Sequence, residues 1–312
     1  MGIKHLVLSG GAYKGIYGIS ILRELFESGF LINDELENIY AASIGTVIGV
    51  LICLKNDFKD IEDYFVNRPW GKVKDKLLAK SSLTDIYSKK GFLNKSIFEL
   101  FINSFIKINN LKKDITLKEL YEYSKITLHI HSVKLNEYKL VKINHMTHPE
   151  LKVIDAIYMS SSIPIVFQPH FYEGSYYIDS GFLNSYPVNI CLDDNHNMDE
   201  IFGITYEPGD NKMVITEDDS VFSFVNCIFR NMIDNNDVSK KYIDKLKYEI
   251  VVRLDDINRH DAINMMVRKE KREESVSEGK TYAREFLERI QFEKNTTEQP
   301  ADDTKQPTGE AK

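Results

Sequence analysis

A charge-free run of sixteen residues, from Ile39 to Leu54, constrains the fold more than any other feature of the sequence. A membrane-spanning helix needs about 20 apolar residues, so this run is too short to cross a bilayer. It contains Ser43 between small residues, and charge returns at Lys55. We therefore expect a buried strand over residues 37–42, followed by a fully buried helix that begins at Ile44.

The N-terminal segment has the same organisation. Residues 3–8 indicate a short buried strand, and a glycine-rich turn over residues 9–15 follows it. Beyond the turn, Ile19, Leu22 and Phe26 recur at helical spacing. Two successive strand–turn–helix units favour a parallel, layered α/β sheet.

Composition limits the classes of function. With 312 residues, 43% hydrophobic and 28% charged, the chain is typical of a globular protein. Its formal net charge of −7 disfavours general nucleic-acid binding, which requires a basic excess. Three scattered cysteines do not make a disulfide framework or a zinc site, and the N-terminus lacks a signal-peptide pattern. We expect a cytoplasmic protein.

Further elements follow downstream. Thr116 and Glu119 form a capping-box signature for a helix near residues 117–124. We also expect strands and helices in the following places: paired strands over 126–144, strands over 171–178, 201–206 and 248–254, and helices over 151–162 and 262–290.

Ser43 stands between the second strand and its helix, in Ala41-Ala42-Ser43-Ile44-Gly45. A nucleophilic serine needs a tight turn without neighbouring bulk, and small residues two positions before and after it allow this turn. The helix that begins at Ile44 directs backbone N–H groups towards developing negative charge. A serine that only caps a core helix fits the same local pattern.

The glycine-rich turn is Gly10-Gly11-Ala12-Tyr13-Lys14-Gly15. Such a loop can direct backbone N–H groups inward and bind an oxyanion or a phosphate. A Walker loop is excluded because Lys14 precedes Gly15 and Ile16 offers no hydroxyl for magnesium, and the spacing breaks the dinucleotide fingerprint. A tight turn without a ligand is the alternative.

Asp179 ends an aromatic strand and precedes the small residues Ser180 and Gly181. A serine hydroxyl becomes a good nucleophile only when a base takes its proton. A desolvated, well-placed carboxylate can be that base. A turn aspartate that bonds its own backbone gives the same local sequence.

Together these three segments resemble the patatin-like phospholipase family of lipid acyl hydrolases. That family has a glycine-rich oxyanion loop in its first βα turn, then Gly-x-Ser-x-Gly, and further on Asp-Gly-Gly or Asp-Gly-Ala. The segments that carry the resemblance, in the same order over roughly residues 3–190, are Gly10–Gly15, Ser43–Gly45, Ser161–Pro164, Phe167–Pro169, Asp179–Gly181, Asn184 and Pro187.

The resemblance implies a three-layer α/β/α sheet with helices on both faces. The catalytic domain would cover residues 1–215, and a mainly helical C-terminal extension over 216–290 would pack on it. Residues 291–312 lack apolar periodicity, and we expect them to be disordered.

The resemblance also implies a chemistry, in which Ser43 and Asp179 form a catalytic dyad that cleaves acyl esters of glycerolipids. The implied oxyanion hole is formed by Gly10, Gly11 and Ala12, and the implied supporting residues of the motifs are Lys14, Gly15, Gly45 and Gly181. No metal and no cofactor is expected. The expected partner is a glycerophospholipid or another acyl-ester lipid, including lipid at a membrane surface.

Three positions depart from the family pattern. Ala12 replaces the third glycine of the loop, Ala41 replaces the glycine two residues before the serine, and Ser180 replaces the glycine after the aspartate. Alanine disfavours a positive φ, so we expect Ala41 to strain the serine turn further. The Ser180 hydroxyl would either bond Asp179 and lower its basicity or have no effect.

Two other functions stay open at this point. One is a Ser-His-Asp esterase, for which the candidate bases are His145, His148, His170, His196 and His260. The other is a non-catalytic lipid- or protein-binding module that kept the fold.

Overall fold

The computed structural model describes residues 2–72, 75, 87–208, 215–219, 221–254 and 266–297. The strands are β1 (His5–Leu8), β2 (Asn38–Ala42), β3 (Gly91–Leu93), β4 (Thr127–Lys134), β5 (Lys139–Ile143), β6 (Ile165–Phe167), β7 (His170–Tyr172), β8 (Ser175–Asp179), β9 (Ile201–Pro208) and β10 (Tyr248–Leu254). The α-helices are α1 (Gly15–Glu27), α2 (Ile44–Cys53), α3 (Phe58–Asn67), α4 (Ser96–Ile108), α5 (Leu117–Ser124), α6 (Val153–Ser161), α7 (Val188–Asp193), α8 (Val221–Asn236) and α9 (Lys269–Thr297).

One eight-stranded sheet organises the structure, in the order β10-β9-β1-β2-β4-β8-β7, with β5 also paired to β4. The strands from β10 to β4 run parallel, whereas β5 and β8 are antiparallel to β4. The carboxyl ends of β1 and β2 therefore lie side by side, and the glycine-rich turn and Ser43 leave the sheet at the same edge.

The register along β4 brings a third segment to this edge. Ala42 pairs with His131, and the next residue of β4, Ser132, pairs with Asp179. β5 pairs with residues 130–134 of β4 along the edge opposite to β2. β8 must therefore pair with β4 along the same edge as β2, just beyond the end of β2. The carboxyl ends of β2 and β8 therefore meet end to end beside β4.

Both faces of the sheet are covered, because alternate side chains of a strand point to opposite sides. Leu6 and Leu8 belong to the larger core, which includes residues of α1, α2 and α9. Val7 belongs to a smaller core with Tyr186 and Val188 on the other face. The predicted three-layer α/β/α architecture is confirmed.

The segment 216–290 contributes a strand as well as helices. β10 pairs in parallel with β9 and forms an edge of the main sheet. α9 lies against α1, where a Cβ on Gly279 would be 2.9 Å from the backbone oxygen of Tyr17. This segment is therefore partly built into the sheet and is not only a helical extension, and the domain boundary at residue 215 stays a prediction.

The chain past residue 290 begins as helix, because α9 continues to Thr297. The first residues of the predicted disordered tail are thus helical, and residues 298–312 lie outside the described residues. No helix in the described part of the chain combines the length and apolarity that crossing a membrane requires.

Candidate active site

Ser43 occupies a sharp turn between β2 and α2. Its backbone has φ 49° and ψ −120°, a conformation that costs a residue other than glycine about 1–3 kcal/mol. Gly45 makes the turn possible, because a Cβ at this position would lie 2.3 Å from the carbonyl oxygen of Leu8. The helix can therefore begin immediately after the strand, with the serine at its N-terminus.

The predicted strain at Ala41 is not found. Ala41 lies inside β2, and the non-glycine residues with positive φ include Ser43 but not Ala41. The expectation was wrong because the strained residue of this turn is the serine itself, two positions later. A methyl group in a regular strand carries no such cost.

The Ser43 and Asp179 side chains meet directly. The Ser43 hydroxyl donates a hydrogen bond of 2.6 Å to Oδ2 of Asp179. The other carboxylate oxygen, Oδ1, accepts the Gly181 N–H at 2.7 Å. Ser43 is 8% exposed and Asp179 is 4% exposed, so water has little access to either side chain. The contact places an acceptor for the serine proton where a general base would have to be.

Burial changes the acidity of this carboxyl. It raises the pKa of Asp179 from 3.8 to about 6, although the hydrogen bonds from Ser43 and Gly181 act in the opposite direction. A general base is most effective when its pKa is close to the working pH. At neutral pH Asp179 is therefore ionised and has a higher proton affinity than an exposed carboxylate.

Neighbouring serines hold the backbone of this pair. The Ser43 N–H donates to Oγ of Ser160 at 2.9 Å, and that oxygen also contacts Oγ1 of Thr46 at 3.0 Å. The Asp179 N–H donates to the carbonyl oxygen of Ser162 at 3.0 Å. Ser160 was not among the predicted site residues, and its only signal in the sequence is its place directly before Ser161 and Ser162.

The glycine-rich loop lies against the nucleophile. A Cβ on Gly10 would be 3.2 Å from Cβ of Ser43. The Gly10 N–H is already used, because it donates to the Ser185 carbonyl at 2.7 Å. The expectation that Gly10 donates to an oxyanion does not fit this geometry. The N–H groups of Gly11 and Ala12 make no hydrogen bond with the described residues, which leaves two donors for that role.

Other residues of the loop have structural constraints. Ala12 adopts φ 50°, in the left-handed region that favours glycine. A Cβ on Gly11 would be 2.5 Å from the Tyr206 ring, and one on Gly15 would be 2.4 Å from the Ile44 side chain. Lys14 is buried, so its side chain belongs to the structure of the loop rather than to an exposed basic surface.

Ser180 does not bond Asp179. Its side chain is fully buried, and within the described structure its hydroxyl oxygen has no hydrogen-bond partner. Of the two sequence-based possibilities for Ser180, the structure favours the one in which its hydroxyl leaves the basicity of Asp179 unchanged.

The described histidines do not reach the pair: none of them hydrogen-bonds to Ser43 or to Asp179. His145 stacks on Tyr121, His196 stacks on His5, and His148 and His170 lie near Tyr172. The remaining candidate, His260, lies outside the described residues. Within the described residues, no cluster of three or more potential metal ligands is present.

A serine on a strand-to-helix turn, a buried carboxylate bonded to it and the unbonded amides of Gly11 and Ala12 thus lie together at one edge of the α/β sheet. The profile of the patatin-like phospholipase family matches residues 6–192, which is more than half of the chain. The chain therefore belongs to the patatin-like phospholipase family, whose activity is the hydrolysis of lipid esters.

Individual relatives agree with this assignment. A probable lipid hydrolase of Invertebrate iridescent virus 6 is 26% identical over 191 residues, which are 61% of this chain and 63% of that protein. A cGAMP-activated phospholipase of Escherichia coli (strain TW11681) is 24% identical over 213 residues, which are 61% of this chain and 55% of that protein. The matched regions thus span less than two thirds of the length of either relative.

A solved structure supports the fold. The crystal structure of VipD from Legionella pneumophila is similar with a TM-score of 0.54 and 15% sequence identity. The similarity covers 92% of this chain and 67% of that one. At this identity the similarity concerns the arrangement of strands and helices only.

Proposed function

We propose that this chain is a lipid acyl hydrolase that cleaves acyl esters of glycerolipids with a Ser43–Asp179 dyad. The observation that carries the proposal is the 2.6 Å hydrogen bond from the Ser43 hydroxyl to the buried Asp179 carboxylate. Family membership supports lipid esters as the class of substrate.

In the first step, Asp179 takes the proton of Ser43 while the serine oxygen attacks the ester carbonyl carbon. The carbonyl oxygen becomes an oxyanion, which accepts hydrogen bonds from the N–H groups of Gly11 and Ala12. One such donor typically lowers the barrier by about 3–4 kcal/mol. The intermediate then expels the alcohol, which leaves with the proton from Asp179, and the acyl group stays on Ser43.

In the second step, Asp179 takes a proton from water, and the resulting nucleophile attacks the acyl carbon. The same two amides bind the second oxyanion. The bond to Ser43 breaks, the serine regains its proton from Asp179, and a fatty acid leaves. Neither step uses a metal ion, so we expect activity to persist in the presence of EDTA.

The test is hydrolysis of phospholipid vesicles by the wild type and by two variants, Ser43→Ala and Asp179→Asn. Each substitution removes one member of the dyad, and we expect each to abolish ester cleavage. Asp193→Asn is the matched control, because Asp193 is an exposed carboxylate at the end of α7. Full activity in either dyad variant would show that the dyad assignment is wrong.

The two alternatives make different predictions. A Ser-His-Asp esterase is disfavoured because Asp179 already occupies the position of the base next to Ser43. A non-catalytic module is favoured only by departures such as the alanine at φ 50° in the oxyanion loop. A fluorophosphonate probe distinguishes this module from the hydrolase, because the hydrolase is labelled at Ser43 and the module is not.

A further inference from the structure

One carboxylate outside the region matched by the family profile is connected to the active site through hydrogen bonds. Asp237 follows α8 directly, and it is 8% exposed. Its Oδ1 accepts the N–H of Ser185 at 3.2 Å and the N–H of Ser239 at 2.9 Å. Its Oδ2 accepts the hydroxyl of Ser185. Asp237 therefore binds Ser185 through both backbone and side chain.

Ser185 in turn fixes the start of the glycine-rich loop. Its carbonyl oxygen accepts the Gly10 N–H at 2.7 Å and the Ser9 hydroxyl at 3.0 Å. Ser185 thus connects Asp237 to Gly10: its N–H binds Asp237, and its carbonyl oxygen binds Gly10. Because Gly10 lies directly against Ser43, a shift of Ser185 would move the loop relative to the nucleophile.

The residues after Asp237 hold the same segment at further points. The Val238 N–H donates to the carbonyl oxygen of Leu183 at 3.1 Å, and the Tyr186 N–H donates to Oγ of Ser239 at 3.2 Å. This chain from Leu183 to Tyr186 begins only four residues after Asp179. The polar contacts made by residues 237–239 therefore fix the backbone of residues 183–186. This segment lies between Asp179, which precedes it in the chain, and Gly10, which Ser185 binds.

A carboxylate suits this position for a chemical reason. The surrounding groups are two backbone N–H donors and two serine hydroxyls, and both oxygens of a carboxylate can accept hydrogen bonds from them. An asparagine would keep one acceptor oxygen, and its amide would face the Ser185 hydroxyl, which can rotate to accept. An alanine would leave the buried N–H groups without their acceptor.

We propose that Asp237 is a positioning residue of the active site, which acts through Ser185 to hold the Gly11 and Ala12 amides at the place where the oxyanion develops. Asp237 does not touch the substrate in this role. The inference rests on the proposed function, because it assigns those amides to the oxyanion hole.

The test compares Asp237→Ala, Asp237→Asn and Ser185→Ala with the wild type. The control is Asp234→Asn, since Asp234 is an exposed carboxylate of α8 paired with Lys240. Two measurements are made: kcat and KM on one phospholipid ester, and the rate and end point of fluorophosphonate labelling at Ser43. The end point measures the fraction of molecules whose site is correctly folded, and the rate measures how fast Ser43 reacts in each of those molecules.

We expect Asp237→Ala to lower kcat and the labelling rate by about 10- to 100-fold, the size of effect that misplacement of a site by about 1 Å produces. The KM and the labelling end point should stay close to those of the wild type. Ser185→Ala, which loses only the hydroxyl contact, should show a smaller loss, and Asp237→Asn should recover most of the activity. The Asp234→Asn control should behave as the wild type.

Three results would overturn the inference. The first is a wild-type labelling rate in both Asp237→Ala and Ser185→Ala. The second is a lower end point with an unchanged rate for each labelled site, which would assign Asp237 to folding stability alone. The third is a wild type that is not labelled at Ser43, which refutes the proposed function and this inference together. If Asp237→Ala does not fold, Ser185→Ala decides: a wild-type labelling rate overturns the inference, and a lower rate at a full end point supports it.

Discussion

Asp179→Asn should stabilise the folded protein at neutral pH while it removes the base. Burial raises the pKa of Asp179 from 3.8 to about 6, so the folded state binds this proton more tightly than the unfolded chain does. Between those two values the folded state holds more protons, and its stability therefore falls as the pH rises. A difference of about two pKa units corresponds to about 3 kcal/mol of stability lost once the carboxyl is ionised.

Asparagine fits the site without this cost. Its oxygen can accept the Gly181 N–H as Oδ1 does now, and its amide can donate to the Ser43 hydroxyl. The neutral side chain keeps both hydrogen bonds and brings no charge into the buried position. We therefore expect the free energy of unfolding of Asp179→Asn to exceed that of the wild type by about 3 kcal/mol at pH values above the raised pKa of Asp179. The advantage should shrink as the pH falls towards 3.8.

Urea denaturation over a series of pH values, followed by circular dichroism, measures this difference. In thermal unfolding the same difference amounts to roughly 5 °C in Tm for a chain of this length. Asp193→Asn is again the control, since it removes a carboxylate that is exposed rather than buried. A variant that is less stable than the wild type at neutral pH, or a gain that does not depend on pH, would show that burial of the Asp179 charge does not destabilise the fold.

Four further results are expected. The kcat/KM for ester hydrolysis should rise with pH through about 6, because only ionised Asp179 accepts a proton, and a flat pH profile would contradict its role as base. Ala12→Gly should raise the free energy of unfolding by about 1 kcal/mol, measured by urea denaturation, and keep activity, because glycine removes the cost of the positive φ. Gly45→Ala should lower stability by about 1–3 kcal/mol in thermal unfolding, since its methyl group would meet the backbone of β1. Ser160→Ala should lower the free energy of unfolding by about 1–3 kcal/mol, measured by thermal unfolding, and should also lower kcat, because it leaves the Ser43 N–H without its acceptor.

Much of the fold could be predicted from local sequence patterns. The charge-free run from residue 39 to 54 became β2 and α2, and α2 covers Ile44–Cys53 as its apolar residues indicated. The capping box at Thr116 and Glu119 is present, with both reciprocal hydrogen bonds. These features depend on neighbours within a few residues, so the sequence carries them directly.

The parts of the site that depend on distant contacts could not be read in the same way. Gly10 was expected to be an oxyanion donor, but its N–H is bound by Ser185, which lies far away in the sequence. The partners Ser160 and Asp237 are a serine in a run of serines and an aspartate after a helix, and neither has a distinctive local pattern. Their positions follow from the strand register and from the packing of α8, which local periodicity does not encode.

The rate of fluorophosphonate labelling as a function of pH, with peptide mapping of the labelled residue, measures whether Asp179 activates Ser43. We predict a single label on Ser43, formed at a rate that rises with pH through about 6 and that falls by at least about 100-fold in Asp179→Asn. Ser43→Ala should take up no label. A folded wild type that resists the probe, or an Asp179→Asn protein that is labelled as fast as the wild type, would contradict the claim that Asp179 activates Ser43.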